Sequence, residues 1–244
     1  MRWSIGSVTA ELGYPRMNRH SYLERPLYSL AEAARLLQLA PSTLRFWLEG
    51  TRRRDHQYLQ VLRSEPTESS VLNWGEFVEA GYLREYRGDM TLQQLRPLIE
   101  ALRSELGVRY PLATAQPMTS GMQLVWNLQT KLELPEELWI VVGGDQLVLG
   151  TAADAFFRKV EFDPSTLEAL RYTVMEAESP VVVDPRRAFG VPTIRGARTE
   201  SIAELALAGE PPEVIAEIYE DFGVTASDVE TAVRFEREFL GVAA

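Results

Sequence analysis

Apolar residues recur three and four positions apart through much of the chain, a spacing that predicts helix wherever it persists. In YSLAEAARLLQLA, Leu30, Ala33, Ala34 and Leu37 share one face, and Ser29 with Glu32 forms a capping box that starts the helix. Pro41 suits the first turn of a second helix, in which Leu44, Trp47 and Leu48 repeat the inward spacing before Gly50 stops it. From Tyr58 to Trp74, β-tolerant residues flank a polar, proline-containing turn and suggest a hairpin. Asn73 caps a further helix with Trp74, Phe77, Val78 and Tyr82 inward, and Thr91 with Gln94 opens the next as a second capping box. Leu92, Leu95, Ile99, Leu102 and Leu106 give that helix a narrow seam, either an internal packing face or a dimer contact, and Pro97 predicts a kink or a loss of stability.

The stretch PLATAQPMTS at 111–120 is the best linker candidate. Beyond it, LWIVV and QLVLG surround Gly143, Gly144 and Asp145 and predict two short strands joined by a tight turn. The glycine pair lacks the G-x-G-x-x-G spacing of a phosphate cradle, which favours the hairpin. A turn-rich stretch, VVVDPRRAFGVPTIRGARTES, then leads to three short helical patterns separated by Gly209–Pro212 and by Gly223. Val214, Ile215, Ile218, Tyr219 and Phe222 share a face in the middle one; Val229, Val233 and Leu240 do so in the last, with Thr225 or Ser227 as cap. Trp47, Trp74, Tyr82 and Phe222 read as core residues, not as a platform for stacking bases.

Composition changes this picture mainly through charge. The net charge of -10 is divided along the chain: residues 1–63 hold 10 Arg against 5 Asp+Glu, and residues 116–244 hold 10 Lys+Arg against 22 Asp+Glu. A basic head suits phosphate, and an acidic body is repelled by it. No long apolar run suits a bilayer, the first residues lack the pattern of a secretory signal, and there are no cysteines, so the expected location is the cytoplasm. An enzyme is hard to build here. The two histidines, His20 and His56, fall in an arm and a wing; H-E-x-x-H and G-x-S-x-G do not occur; and Glu210, Glu213, Glu217, Glu220 and Asp221 fall naturally on exposed helix faces. No cofactor and no metal site are expected.

Two short helices joined by a tight turn, the second beginning PSTLRFWLEG, have the dimensions of a helix-turn-helix. Ser42 and Thr43 sit at the start of the second helix, where backbone N–H groups and hydroxyls meet phosphate or base edges, and Arg45 lies on the face opposite Leu44 and Leu48. Arg52, Arg53 and Arg54 stand at the mouth of the expected wing. The run YSLAEAARLLQLAPSTLRFWLEG resembles the opening of MerR-like and excisionase-like winged helices, and LNWGEFVEAGYLREYRGDMTLQQLRPLIEALRSELG is similar to the later helices of that domain. The resemblance implies DNA contacts from Thr43, Arg45 and the basic wing. Phe46 replaces a frequent tyrosine, which removes one hydroxyl from that set.

The C-terminal stretch, FGVPTIRGARTESIAELALAGEPPEVIAEIYEDFGVTASDVETAVRF, is similar to an uncharacterised domain family found in antitoxins of toxin-antitoxin pairs. Gly190, Pro192, Ile194, Gly196, Arg198, Tyr219 and Phe222 carry the match; Ala197 replaces the usual threonine, and Thr199 with Glu200 replaces an apolar pair. Together the two resemblances imply a VapB-type antitoxin that represses its own operon and neutralises a PIN-domain ribonuclease toxin. Arg186, Arg187, Arg195 and Arg198 then either approach the toxin's carboxylates or are simply solvated beside a glycine-shaped turn. The expected fold is mainly α with small β elements: an N-terminal arm over 1–26, a winged helix-turn-helix DNA-binding domain over 27–115, a linker and β-hairpin over 116–172 and a small helical domain over 173–244. Head and body are expected to fold around separate apolar clusters. A homodimer on operator DNA is expected, through the leucine seam or the hairpin near Gly144. The alternative is a stand-alone MerR-like regulator whose C-terminal domain senses a ligand or dimerises.

Overall fold

Ser29 and Glu32 close the capping box that the sequence predicts: the Glu32 N–H donates to Ser29 Oγ at 3.3 Å, and the Ser29 N–H donates to the Glu32 carboxylate at 2.8 Å. They start α1 (Leu30–Leu36), which turns through Gln38, held at φ 52°, into α2 (Pro41–Glu49). Ala33, Ala34, Leu37, Leu44, Trp47 and Leu48 are all buried, as their spacing requires. Gly50 ends α2 at φ 68°, and a Cβ there would stand 2.2 Å from the Tyr58 carbonyl oxygen, so the turn needs glycine. The computed structural model describes residues 21–53, 56–65, 67, 69–86, 91–115, 122–133, 140–143, 146–149, 151–238 and 241.

Four short strands accompany the two helices: β1 (Pro26–Ser29), β2 (Thr51–Arg53), β3 (His56–Tyr58) and β4 (Val71–Asn73). β2 and β3 form a hairpin directly after α2, and β1 pairs antiparallel with β4. The hairpin expected between Tyr58 and Trp74 is therefore corrected. Leu72 faces Tyr28 instead, and Val61 and Leu62 donate their N–H groups to the Trp47 carbonyl at 2.8 and 3.0 Å, which docks the segment on α2.

Asn73 caps α3 (Trp74–Glu85) through a capping box with Glu76, and α4 (Leu92–Leu106) runs on through Pro97. The Gln94 side chain lies outside the described residues. Leu95, Ile99 and Leu102 are fully buried within their own chain. Their seam is the internal packing face that the spacing favours, and the alternative of a dimer contact through it is corrected.

The first half of the expected linker is also structural. Pro111–Ala113 form a buried 3-10 turn, the Leu112 N–H donates to the Glu79 carboxylate at 3.1 Å, and the Ala115 N–H donates to Leu167 at 2.7 Å. Residues 116–121 lie outside the described residues. After them come α5 (Met122–Lys131) and the expected hairpin of β5 (Ile140–Gly143) and β6 (Gln146–Leu149), in which Gly143 faces Gln146. Gly144 and Asp145 of its turn lie outside the described residues.

Next, α6 (Thr151–Lys159) leads into a sheet that the sequence does not announce. It is a five-stranded antiparallel meander of β7 (Val160–Phe162), β8 (Ala169–Thr173), β9 (Val181–Val183), β10 (Thr193–Ile194) and β11 (Ala197–Arg198). The expected helical bundle follows as α7 (Thr199–Leu207), α8 (Pro212–Ile218) and α9 (Ala226–Glu238). Thr225 caps α9, since the Asp228 N–H donates to its hydroxyl at 3.2 Å and its own N–H donates back to the Asp228 carboxylate at 2.9 Å. Of the apolar face expected on the middle helix, Ile215 alone is fully buried; Val214, Ile218 and Phe222 are exposed, which corrects the assignment of Phe222 to the core.

The fold is mainly α with small β elements, and its buried residues form one continuous cluster from Leu23 to Phe235. Phe77 is the junction: its ring lies 4.7 Å from Tyr28, 5.5 Å from Trp74 and 5.8 Å from Tyr172, centroid to centroid. Trp74 Nε1–H donates to the Ala169 carbonyl at 2.7 Å, so the head reaches the meander directly. Separate apolar clusters for head and body are thereby corrected.

Candidate functional site

Helix α2 turns Leu44, Trp47 and Leu48 inward, and the same periodicity forces Ser42 and Arg45 outward. Ser42 and Arg45 are exposed and Thr43 is half-buried; Arg45 has no ion-pair partner among the described residues. The helix begins at Pro41 with no side-chain cap; Pro41 has no N–H and the Thr43 and Leu44 N–H groups donate to the Ala40 carbonyl at 2.9 and 3.2 Å, which leaves the Ser42 N–H and the exposed hydroxyl beside it for an incoming acceptor. Immediately beyond Gly50, β2 carries Arg52 and Arg53 opposite Gln57 and His56. The structure thus brings the α2 residues and the first two wing arginines to adjacent elements. Arg54 lies outside the described residues.

Two arginines beyond the predicted site hold the segment that follows this hairpin to α4. Arg96 on α4 donates from Nε to the Gln60 carbonyl at 3.2 Å and from Nη2 to the Leu59 carbonyl. One heptad later, Arg103 donates to the carbonyls of Val61 at 3.2 Å and Leu62 at 2.8 Å. Four consecutive carbonyls after β3 are therefore gripped from one helix, and the Phe46 ring meets Tyr58 edge-on at 6.2 Å from the other side. A guanidinium suits this task because its planar fork spans neighbouring acceptors. The available signal was two arginines a heptad apart beside the leucine seam.

Not every arginine of the basic head is free for phosphate. Arg63 is buried, paired with Glu76 at 2.8 Å and donating to the Ser69 carbonyl at 3.0 Å. Arg25 donates to the Pro185 carbonyl at 2.5 Å. Beneath them Glu79, wholly buried in α3, is pushed up to about 7 by burial, against the opposing pull of Arg103 at 3.2 Å and the Leu112 N–H.

The C-terminal arginines occupy the rim of the meander, all four exposed. Arg186 makes two bonds to the buried Asp184 carboxylate, at 2.9 and 2.7 Å. Arg195 and Gly196 form the two-residue turn between β10 and β11, at φ 52° and φ 99°, and the Arg195 guanidinium is tied to Asp228 at 2.8 Å. Such a turn requires positive φ at both residues, which explains the glycine. Arg187 and Arg198 have no ion-pair partner among the described residues.

A family model described as a protein of unknown function (DUF433) matches residues 181–235, the stretch that holds β9–β11 and all but the last three residues of the helical bundle. At the scale of the whole chain, this protein is 30% identical over 234 residues to Uncharacterized protein Rv2308 of Mycobacterium tuberculosis, a match covering 91% of this chain and 95% of that one. It is also 27% identical over 225 residues to a protein of the same organism named Putative antitoxin VapB45, covering 85% of this chain and 92% of that one. The X-ray crystal structure of Rv2018 from Mycobacterium tuberculosis shares the fold, with a TM-score of 0.71 at 24% identity over 87% of this chain and 100% of that one. The chain belongs to the family of Rv2308. Among the described residues, no helix is long and apolar enough to cross a membrane.

Proposed function

We propose that this protein is a DNA-binding antitoxin that represses its own operon and neutralises a PIN-domain ribonuclease toxin. Residues 27–115 serve as a MerR-like winged helix-turn-helix and residues 173–244 as the toxin-facing domain. The observation that carries the DNA half is the pairing of an uncapped, outward-facing α2, bearing Ser42, Thr43 and Arg45, with a hairpin strand bearing Arg52 and Arg53. A helix of this kind enters a major groove N-terminus first, and the hairpin meets the flanking backbone. The relative named Putative antitoxin VapB45 supports the antitoxin half. In this reading Arg187 and Arg198 face the toxin, with Arg186 and Arg195 positioned beside them by Asp184 and Asp228. The protein acts as a cytoplasmic homodimer on a near-palindromic operator, with the β5–β6 hairpin as the dimer contact.

Two assays test the two halves. In gel shifts on the chain's own promoter, Arg45→Ala weakens binding by about 1–3 kcal/mol if Arg45 reads a base. Each phosphate contact contributes about -0.9 to the log-log salt slope. Co-expression with the ribonuclease encoded beside it restores growth. Unchanged gel shifts for Arg45→Ala, or growth arrest undiminished by co-expression, would overturn the corresponding half.

A further inference from the structure

We propose that the outward face of α8 and the turn after it form a docking ridge for a basic amphipathic segment of a partner protein, one offering aliphatic or aromatic anchors flanked by Lys or Arg. The proposal deepens the toxin-binding half of the function above and rests on that reading for the existence of such a partner.

The ridge is built by a mismatch between helical period and burial. α8 commits Ile215 to the core against α9, so the arc it turns to solvent carries Val214 and Ile218, which are 39% and 57% exposed. One turn further on, the short 3-10 turn Glu220–Phe222 presents Phe222 at 49% exposure. Single exposed apolar residues are ordinary, but three large ones following one another along a helical path mark an interaction surface. The end of the ridge is held in place. The Phe222 ring lies 6.2 Å from that of Tyr219, and its Cδ1 stands 3.5 Å from where a Cβ on Gly196 would be, against the β10–β11 turn. An anchor site already ordered before binding loses less entropy when the partner arrives.

Charge selects the occupant. Glu213 and Glu217 share the solvent arc with Val214 and Ile218, and Glu210, Glu220 and Asp221 are exposed at its two ends; Arg187, whose Nη1 stands 3.6 Å from the same Gly196 Cβ position that Phe222 borders, limits the acidic surface at the β10–β11 turn. Residues 199–233 contain nine Asp+Glu and no Lys or Arg. Nucleic acid and anionic bilayers are repelled from such a surface. A second copy meeting it across a two-fold axis would set the same acidic rim against itself. A basic segment cancels the rim and buries the ridge, as amphipathic helices do in apolar grooves.

The test uses the full chain and three labelled helical peptides: an amphipathic Leu/Lys peptide, a Ser/Lys peptide of equal charge and a Leu/Glu peptide of opposite charge. Fluorescence anisotropy is expected to show the Leu/Lys peptide binding about tenfold or more tightly than Ser/Lys, in a salt-dependent manner, with no binding of Leu/Glu. The double variant Ile218→Ser/Phe222→Ser reduces Leu/Lys binding to the Ser/Lys level. The triple variant Glu213→Gln/Glu217→Gln/Glu220→Gln weakens it about tenfold. Both variants replace exposed side chains and retain the parent melting transition, which is checked in parallel. Equal binding of Leu/Lys and Ser/Lys by the parent, or parent-like binding by either variant, overturns the proposal. So does sedimentation showing that the parent is a dimer and the double variant a monomer, since a second copy then occupies the ridge. Failed peptide discrimination with growth rescue on toxin co-expression intact removes the ridge alone; failed rescue with discrimination intact removes the toxin-binding reading alone.

Discussion

Tyr28 donates its hydroxyl to the Gly190 carbonyl at 2.6 Å, across 162 residues of chain. The approach depends on Gly190, because a Cβ there would stand 2.9 Å from the phenolic oxygen, and φ is 79°. Burial raises the Tyr28 phenol far above its ordinary value, so it remains a donor at every pH the protein meets. The strand that introduces α1 and α2 is thereby bonded to the loop that introduces the C-terminal bundle.

Tyr28→Phe leaves the Gly190 carbonyl buried without its donor, and we expect a loss of about 1–3 kcal/mol in urea unfolding. Because the core is continuous, tryptophan fluorescence and far-UV circular dichroism should report one shared transition in both proteins. Two separated transitions in the parent would show that head and body unfold independently.

Arg96→Ala removes the hold on the Leu59 and Gln60 carbonyls without removing a cation that faces DNA. Operator affinity should drop several-fold while the salt slope stays that of the parent, since no phosphate contact is lost. A slope reduced by about 1 would place Arg96 on the DNA instead.

Gly50→Ala combines a positive φ with a Cβ that would stand 2.8 Å from the Gln60 N as well as against the Tyr58 carbonyl. The main chain itself must shift, so the expected cost is about 2–4 kcal/mol, and the α2–β2 junction should lose amide protection first. A melting temperature within a degree of the parent would refute this.

Glu79 makes stability depend on pH in a direction opposite to that of an ordinary surface carboxylate. Its folded value, about 7, lies above the 4.5 of an exposed glutamate, so across that window the folded state holds more protons than the unfolded one. This contribution to stability is therefore fully present below about pH 4.5, declines as pH rises and levels off above about 7. Glu79→Gln should remove that part of the slope, as read from urea midpoints across the window. An unaltered slope in the variant would assign it to other groups.

The head was legible in the sequence because its signals are local: Ser29 with Glu32, Pro41 at a first turn, Gly50 at a stop and the spacing of Leu44, Trp47 and Leu48. The meander was not, because β10 and β11 are two residues each and Ile194 is defined as strand by facing Val181 and Ala197, which no local period encodes. For α8 the period correctly gave a helix. Which arc is buried was decided by α9, so Ile215 went in and Ile218 stayed out. Of the candidate site, the outward-facing residues of α2 followed from periodicity. The grip of Arg96 and Arg103 did not, because main-chain carbonyls carry no residue-specific signature.

The bond from Trp74 to the Ala169 carbonyl, which joins residues 95 apart, also sets an order of events during synthesis. At about 5–20 residues per second, a ribosome that has just made α3 needs roughly 5–20 s more before the meander exists to receive it. Throughout that interval the indole N–H of Trp74 has no Ala169 carbonyl to receive it and the ring of Phe77 has no Tyr172 against it. The N-terminal head therefore emerges first but lacks part of its packing until the meander is made, and each newly made chain passes through a period in which its head is open to proteases and its C-terminal surfaces have not yet been translated.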